Sequence, residues 1–178
     1  MTGSFMTLAM LLLANPAMAQ QCMHVSGARI AFEIIQDGAP FSGEFAEGGG
    51  RVCMDGERII SIEAWLAPAS VNTGLPELDA ALQEAEFFDT RKFPRVAFTS
   101  KDIETAAQAY IAHGELQVKE RTVPTSVPFA LETANGTTRI SGSLTLDRLA
   151  LGIGSGEWAD TRWLGAEVKV SFSAMLEQ

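Results

Sequence analysis

The sequence is poor in cysteine, histidine and positive charge. Its 178 residues include 2 cysteines and 2 histidines, too few for a disulfide-rich scaffold, a four-ligand zinc site or a histidine-based metal cluster. The 13 lysines and arginines face 22 acids, and the net charge of −9 argues against a nucleic-acid-binding protein. Charged residues make up only 20 % and hydrophobic residues 47 %, which excludes a disordered chain. The length indicates a single domain.

Catalytic signatures are also missing from the sequence. It has no G-x-S-x-G elbow and no C-x-x-C-H haem attachment site. The glycine-rich segment at residues 152–156 lacks the Lys-Ser/Thr of a phosphate loop. His24 and His113 have no accompanying acid or nucleophile motif. We therefore expect a protein that is not an enzyme, with no catalytic residues, no metal site and no covalent cofactor.

The first residues predict export. No lysine or arginine precedes Arg29, and an apolar run at residues 5–14 is followed by the A-x-A pattern of residues 17–19. This is typical of a cleaved secretory signal peptide, and the run is too short to span a bilayer. The absence of a positive side chain at the start leaves a retained anchor or a misassigned start as the alternative. We expect a signal peptide at 1–19 and a mature domain at 20–178.

Most of the mature chain alternates apolar and polar residues with period 2. Residues 28–36 and 39–46 predict a hairpin around the Asp-Gly pair at 37–38, the signal of a type I′ turn. In the register that a two-residue turn sets, Ile34 faces Phe41. The apolar faces of both strands then coincide, which supports this register.

The same register places Cys22 opposite Cys53. A hydrogen-bonded antiparallel pair has a Cα separation of about 5.5 Å, which lies within the disulfide range, and an oxidising compartment would preserve the bond. The glycines at residues 48–50 can shift the register through a bulge, so two free thiols are the alternative. Two glutamines precede Cys22 where a lipoprotein signal needs a small residue, so lipid modification is rejected.

Further period-2 segments complete an all-β fold of eight antiparallel strands, in a size range that can close into a barrel. These segments lie at residues 57–67, 95–101, 107–119, 126–133, 137–147 and 166–177. One helix is predicted at 75–86, with Asn72 or Thr73 as its N-cap. Its apolar stripe, expected to pack over one barrel end, comprises Leu75, Leu78, Leu82 and Ala85.

An eight-stranded barrel either fills itself with side chains or holds one small ligand. The predicted inward face is uncharged, so a ligand would be a long apolar chain. Small inward residues such as Gly43, Gly114 and Gly142 favour a lengthwise cavity, whereas the large aromatic residues favour a filled core, and the pattern does not decide between them. The predicted lining residues are Ile30, Phe32, Ile34, Phe41, Phe45, Ile62, Ala64, Leu66, Phe98, Tyr110, Ala112, Leu116, Phe129, Leu131, Ile140, Gly142, Leu144, Val170, Phe172 and Ala174.

A basic cluster stands out in this acidic chain. It comprises Arg91, Lys92 and Arg95, with Lys101 nearby. Two interpretations remain open: a site for an anionic head group at the barrel mouth, or a solvated loop that offsets neighbouring acids.

Three ordered motifs resemble the YceI-like family of lipid- and polyisoprenoid-binding proteins. Residues 70–98 contain S-V-N-T-G, then F-F-D and P-R-V-A-F, similar to the family's S-x-x-T-G … FFD … P-x-I-x-F stretch. Residues 114–119 (G-E-L-Q-V-K) resemble its G-x-L-x-I-x-G. Residues 146–154 (L-D-R-L-A-L-G-I-G) resemble its N/D-R-x-D-F-G-I-G, and the overall match runs from about Val25 to Leu176.

The resemblance implies a lipocalin-like antiparallel barrel with a helical cover that binds an isoprenoid quinone or related amphiphile non-covalently. The sequence departs from the family pattern at Glu120, where glycine is usual, and at residues 150–151, where Ala-Leu replaces Asp-Phe. The change at Glu120 concerns a turn, and the change at residues 150–151 concerns a pocket wall. Arg148 matches a family motif, and we expect it to form an ion pair or contact a head group.

We carry two hypotheses forward. The first is a periplasmic protein that carries or sequesters an isoprenoid quinone or polyprenyl lipid. The alternative is a non-enzymatic partner module of a membrane b-type cytochrome or another redox complex, without obligatory lipid, because residues 156–161 are similar to a branch associated with such cytochromes. A homodimer is a further candidate assembly.

Overall fold

A computed structural model describes residues 20–106 and 109–177, so the predicted signal peptide at 1–19 lies outside the described residues. The described chain contains one short helix, α1 (Pro76–Leu82), two 3-10 turns and ten strands. The strands are β1 (Gln21–Gln36), β2 (Ala39–Phe45), β3 (Gly48–Asp55), β4 (Arg58–Leu66), β5 (Val71–Asn72), β6 (Val96–Ala106), β7 (Ala109–Val118), β8 (Arg121–Ala134), β9 (Thr137–Asp147) and β10 (Leu164–Glu177).

Eight of these strands close into an antiparallel barrel. Each pairs with the next in the order β10-β9-β8-β7-β6-β4-β3-β1, and pairing of β10 with β1 closes the ring. The two remaining strands extend the wall at one place: β3 pairs with the first half of β1, β2 pairs with its second half, and β2 carries β5 on its other edge. The predicted eight-stranded antiparallel barrel is therefore confirmed.

The predicted hairpin register is also confirmed. Ile34 lies opposite Phe41, and the same register continues to Cys22 opposite Cys53. These cysteines form a disulfide with a Cα–Cα distance of 4.0 Å. This is shorter than the roughly 5.5 Å expected for a hydrogen-bonded pair and nearer the roughly 4.5 Å of a non-hydrogen-bonded pair.

The strand β3 is missing from the predicted strands. In the sequence its first residues, Gly48, Gly49 and Gly50, allow a bulge that would shift the register, yet they pair with β4. A Cβ at Gly50 would collide with the carbonyl oxygen of Glu63. Glycine is therefore needed at residue 50 for the close approach of two strands.

The helix is shorter than predicted and differently capped. It begins at Pro76 and ends at Leu82, and its N-cap residue, Leu75, makes no side-chain cap. The predicted cap Thr73 instead donates its backbone N–H and its hydroxyl to Asp79. Leu75 is 56 % exposed, so the predicted apolar stripe is only partly used.

The two ends of the barrel differ in how they are filled. At one end, here called the hairpin end, the β3–β4 and β8–β9 hairpins turn, and a core cluster that includes Val52, Ile59 and Ile140 is tightly packed. The other end, here called the covered end, carries α1 and the segment that follows it. No helix among the described residues has both the length and the apolar character needed to cross a membrane.

Candidate functional site

An apolar cavity lies inside the barrel, with lining residues from both the covered end and the hairpin end. Its volume is about 300 Å³, at the lower limit of ordinary ligand pockets, which span roughly 300–1,000 Å³. An engineered apolar cavity of about 150 Å³ stays dry and binds benzene. The cavity therefore has room for a section of an apolar chain. The cavity and the packed core share residues: Val52, Ala112 and Ile140 belong to the core cluster and also line the cavity.

Most of the predicted lining residues meet at this cavity. Every residue of the predicted set lines it except Tyr110, Leu131 and Gly142. Tyr110 and Leu131 pack against the core of the hairpin end, where Tyr110 stacks on Phe129 with ring centroids 5.2 Å apart. That the lining residues bind a ligand stays a prediction.

The inward glycines do not create the cavity, contrary to one of our two interpretations. The ring of Phe172 covers Gly142, and a Cβ there would lie 2.6 Å from the Phe172 Cζ. Phe32 covers Gly43 in the same way. In both pairs the phenylalanine lies directly opposite the glycine on the neighbouring strand. Each glycine therefore accommodates a ring, and the space inside the barrel comes from elsewhere.

The covered end closes the cavity with side chains that the predicted lining set lacked. Leu78 and Leu82 of α1 face the cavity, followed by Phe87 and Phe88. Phe87 is only 4 % exposed and packs with the buried ends of β1 and β10. The predicted packing of the helix stripe over one barrel end agrees with the positions of Leu78 and Leu82, whereas the sequence pattern did not place Phe87 and Phe88 in the cavity wall.

The sequence predicted a wholly apolar, uncharged cavity wall, but the observed wall also contains polar side chains. Gln36, Thr125 and Ser173 line it, together with Arg148. Thr125 already donates its hydroxyl to the Val123 carbonyl oxygen over 3.1 Å. A bound amphiphile would therefore meet a few separate polar groups rather than a polar cluster.

Arg148 is a buried carbonyl clamp. Its side chain is 1 % exposed, and its guanidinium donates to the backbone oxygens of Gly165, Ile153, Gly154, Trp158 and Leu164 at 2.6–3.1 Å. These bonds use all of the guanidinium donors. Burial lowers the pKa of Arg148, and the neighbouring charge of Asp147 opposes that shift. The expected ion pair or head-group contact is thus replaced by a structural role that holds residues 153–165 in place.

Two further cations hold the covered end together. Lys119 Nζ donates to the Phe87 carbonyl oxygen over 2.7 Å, and Arg121 Nη1 donates to the carbonyl oxygens of residues 149 and 150. Partial burial lowers the pKa of Lys119, and the negative charge of Asp89 opposes the shift. The departure at Glu120 leaves the two-residue turn intact because Lys119, with φ of 53°, takes the left-handed position.

The basic cluster lies at the surface among acids and an aromatic ring. Arg91 pairs with Glu84 and Lys92 pairs with Asp89, at 3.8 and 3.2 Å. Arg95 lies over the ring of Trp65, 4.3 Å from its centroid. These contacts favour the solvated-loop interpretation over a head-group site. No group of acids, histidines and cysteines suited to a metal ion occurs among the residues that the structure describes.

A sequence model of the YceI-like domain matches residues 23–176. The chain belongs to the YceI-like family. In this YceI-like protein the family motifs fall at the covered end: the F-F-D stretch supplies Phe87 and Phe88, and the last motif supplies Arg148. Leu151, at the second departure from the family pattern, is 4 % exposed and forms part of the cavity wall.

Solved structures share the fold of this YceI-like chain. Burkholderia cenocepacia BcnA is 24 % identical with a TM-score of 0.79, and the alignment covers 83 % of this chain and 95 % of BcnA. The polyisoprenoid binding domain from Saccharophagus degradans, implicated in plant cell wall breakdown, is 11 % identical with a TM-score of 0.71, covering 88 % and 97 %. A Campylobacter jejuni YceI protein is 19 % identical with a TM-score of 0.69, covering 76 % and 84 %. A comparison with curated protein sequences gave no match.

Proposed function

We propose that this protein binds the apolar chain of an isoprenoid quinone or polyprenyl lipid, non-covalently, inside the barrel, and carries or sequesters it in the periplasm. The observation that supports this most is the cavity of about 300 Å³ behind Leu78, Leu82 and Phe88. The similarity to a polyisoprenoid binding domain supports the isoprenoid class of ligand. The disulfide between Cys22 and Cys53 supports export to an oxidising compartment.

The proposal describes binding rather than catalysis. The cavity wall offers isolated polar groups, and the guanidinium of Arg148 is fully engaged with backbone oxygens. Apolar burial supplies the affinity for such a ligand, at about 25 cal/mol per Å² removed from water. Affinity should therefore rise with the length of chain that fits inside and depend little on salt.

Tryptophan fluorescence provides a direct assay with decylubiquinone as the probe. Trp65 and Trp158 line the cavity, whereas Trp163 does not and is 60 % exposed. Uptake of the quinone should quench the first two by contact. A Trp158→Phe variant should lose part of the saturable quenching, and a Trp163→Phe variant should keep it. Quenching that never saturates, or that comes only from Trp163, would contradict binding inside the barrel.

Filling the cavity should abolish binding without unfolding the protein. Ala64 and Ala112 both line the cavity, but Ala112 is 1 % exposed within the core cluster and is a poorer site for a larger side chain. In Ala64→Phe the new ring should enter existing space, avoiding most of the ~1–3 kcal/mol that overpacking costs. Decylubiquinone affinity should fall by about tenfold or more. The control Ala31→Phe places the same ring on a β1 residue outside the cavity wall and should leave affinity unchanged.

A second candidate function is docking to a membrane b-type cytochrome. The observation that favours it is the exposure of Trp163 and Ile35, 60 % and 48 %, on segments joined by a hydrogen bond from Asp37 N–H to the Trp163 carbonyl oxygen. This role predicts that a cytochrome co-purifies with the protein and that Trp163→Ala abolishes the association. Retention of the cytochrome by the variant would exclude this surface.

A further inference from the structure

The wall of the barrel is incomplete between β8 and β9. Their ladder pairs Phe129 with Gly142 and continues to the hairpin turn at residues 135–136. Within these fully described strands, no ladder pair joins residues 121–128 of β8 to residues 143–147 of β9. In those stretches β8 pairs only with β7, and β9 pairs only with β10. The unpaired stretches therefore form a gap in the side of the barrel, adjoining the covered end.

Two prolines account for the end of the ladder. The two-residue turn between β7 and β8 pairs Val118 with Arg121, so the odd-numbered residues of β8 bond to β7. The even-numbered residues consequently direct their backbone groups towards β9. Pro124 and Pro128 occupy two of these positions and have no N–H to donate. The carbonyl oxygen of Pro128 also lies where a Cβ of Gly142 would be, so the strands diverge from a point of close contact.

The cavity lies directly behind this gap. Thr125 and Val127 on β8 and Leu144 and Leu146 on β9 line the cavity, and all four are only half-buried. A second interruption of the ladder, between β4 and β6, differs in this respect. There Ile59 and Ile62 are only 4 % and 7 % exposed, although Ile62 also lines the cavity. The Ile62 N–H donates to Ser100 Oγ over 2.8 Å, so a hydrogen bond still joins the two strands at this interruption.

Apart from Arg121 and Asp147, at the ends of the gap nearest the covered end, the edges of the gap carry no charge, which suits passage of an apolar chain. Residues 122–131 and 140–146 contain no acidic or basic residue, in a protein with a net charge of −9. The covered end is a poorer route because its elements are bonded together. Gly154 and Ser155 donate their N–H groups to the Glu86 carbonyl oxygen at 2.8 and 2.9 Å. Opening that end would break these bonds and the Lys119 bond to Phe87.

We infer that the gap between β8 and β9 is a lateral portal through which the isoprenoid chain enters the cavity and through which the part that does not fit projects. The inference rests on the proposed function, because it specifies the route to the same cavity. The uncharged side chains along most of the portal suit the passage of an apolar chain, and the polar head group remains outside. The covered end then stays closed throughout binding and release.

A covalent bridge across the portal tests this route. Ser126 and Thr145 would face each other if the ladder continued, so the double variant Ser126→Cys/Thr145→Cys can be linked with a short bis-maleimide, which does not react with the native disulfide. The control Ala130→Cys/Ser141→Cys places the same link on the same two strands where they are already paired. The probe is diphenylhexatriene, whose fluorescence rises in an apolar site. We expect the portal link to slow uptake by about tenfold or more with an unchanged dissociation constant, and the control link to have no effect.

A second pair of variants restores the missing donors without a link. Pro124→Val/Pro128→Val supplies both N–H groups that face β9 and should also slow uptake, whereas Pro40→Val supplies one on β2, far from the portal. Uptake at the unmodified rate in both the linked and the valine variants would overturn the portal. Binding of diphenylhexatriene and decylubiquinone to the unmodified protein is measured before any variant is made. Failure to bind either probe would overturn the proposed function.

Discussion

The guanidinium of Arg148 occupies the space that a side chain at residue 154 would need. Arg148 Nη1 donates to the Gly154 carbonyl oxygen over 3.1 Å, and a Cβ on Gly154 would collide with that same nitrogen. Gly154 also has a φ of 74°, in the region that favours glycine. The glycine-rich segment that follows Arg148 is therefore shaped to be held by that arginine.

Replacing Arg148 should destabilise the protein strongly. Arg148→Lys keeps the charge, but its three donors cannot reach five carbonyl oxygens. Each buried oxygen left without a partner costs about 1–3 kcal/mol, so we expect a loss of about 3 kcal/mol or more in the free energy of unfolding. Urea denaturation measures this. The exposed Arg162→Lys is the control and should leave the free energy of unfolding nearly unchanged. Equal losses in the two variants would contradict the clamp.

The pairs Gly43/Phe32 and Gly142/Phe172 should differ in whether a smaller side chain in place of the phenylalanine rescues a substitution of the glycine. A Cβ at Gly43 meets only side chains, those of Phe32 and Thr73, whereas a Cβ at Gly142 also meets the Pro128 backbone oxygen. Gly43→Ala should therefore be destabilising and largely rescued by Phe32→Leu. Gly142→Ala should stay destabilised by about 1–3 kcal/mol when combined with Phe172→Leu. The measurement is a pair of double-mutant cycles in urea. Equal rescue at both positions would show that the backbone contact is unimportant.

The disulfide should contribute substantially to stability. It links residues 31 apart in sequence, and loop closure of that size is worth about 2–4 kcal/mol. Cys22→Ser/Cys53→Ser should lower the denaturant midpoint accordingly while leaving decylubiquinone binding intact, because neither cysteine lines the cavity. Intact mass should show the unmodified protein two hydrogens lighter than its reduced form. Two alkylatable thiols in the unfolded, non-reduced protein would refute the bond.

Asp160 should titrate at unusually low pH. Hydrogen bonds from the Arg162 side chain and backbone lower the pKa of Asp160 to about 2. Its contribution to stability is therefore present above about pH 4 and is lost as the pH falls towards 2. Carboxyl ¹³C NMR titration measures this value. Arg162→Gln should raise it part of the way, since the backbone bond remains, and the exposed Arg91→Gln should leave it unchanged. A pKa of about 4 for Asp160 in the unmodified protein would contradict the hydrogen bonds between Arg162 and Asp160.

Local chemistry made part of this structure predictable. The Asp-Gly turn at residues 37–38 fixed one register, and that register alone brought Cys22 to Cys53 across a run of three glycines. Alternation of apolar residues then placed most of the lining set correctly, because neighbouring side chains on a strand must point to opposite faces.

Features that depend on distant partners were not predictable. The sequence does not reveal that Phe172 covers Gly142 or that the oxygens bound by Arg148 come from residues 153–165. The helix ended early because Phe87 turns into the barrel, where it is 4 % exposed. The incomplete ladder beyond Phe129 depends on which edge of β8 carries its prolines, and that follows only from the register with both neighbours.

Native mass spectrometry tests the central claim most directly. The protein would be isolated without detergent from the cells that produce it, and examined before and after incubation with decylubiquinone and with a polyprenol. The account predicts a complex of one chain with one isoprenoid molecule, in the isolated protein or after incubation, and its loss in Ala64→Phe but not in Ala31→Phe. A chain that carries no added mass under any of these conditions would contradict it.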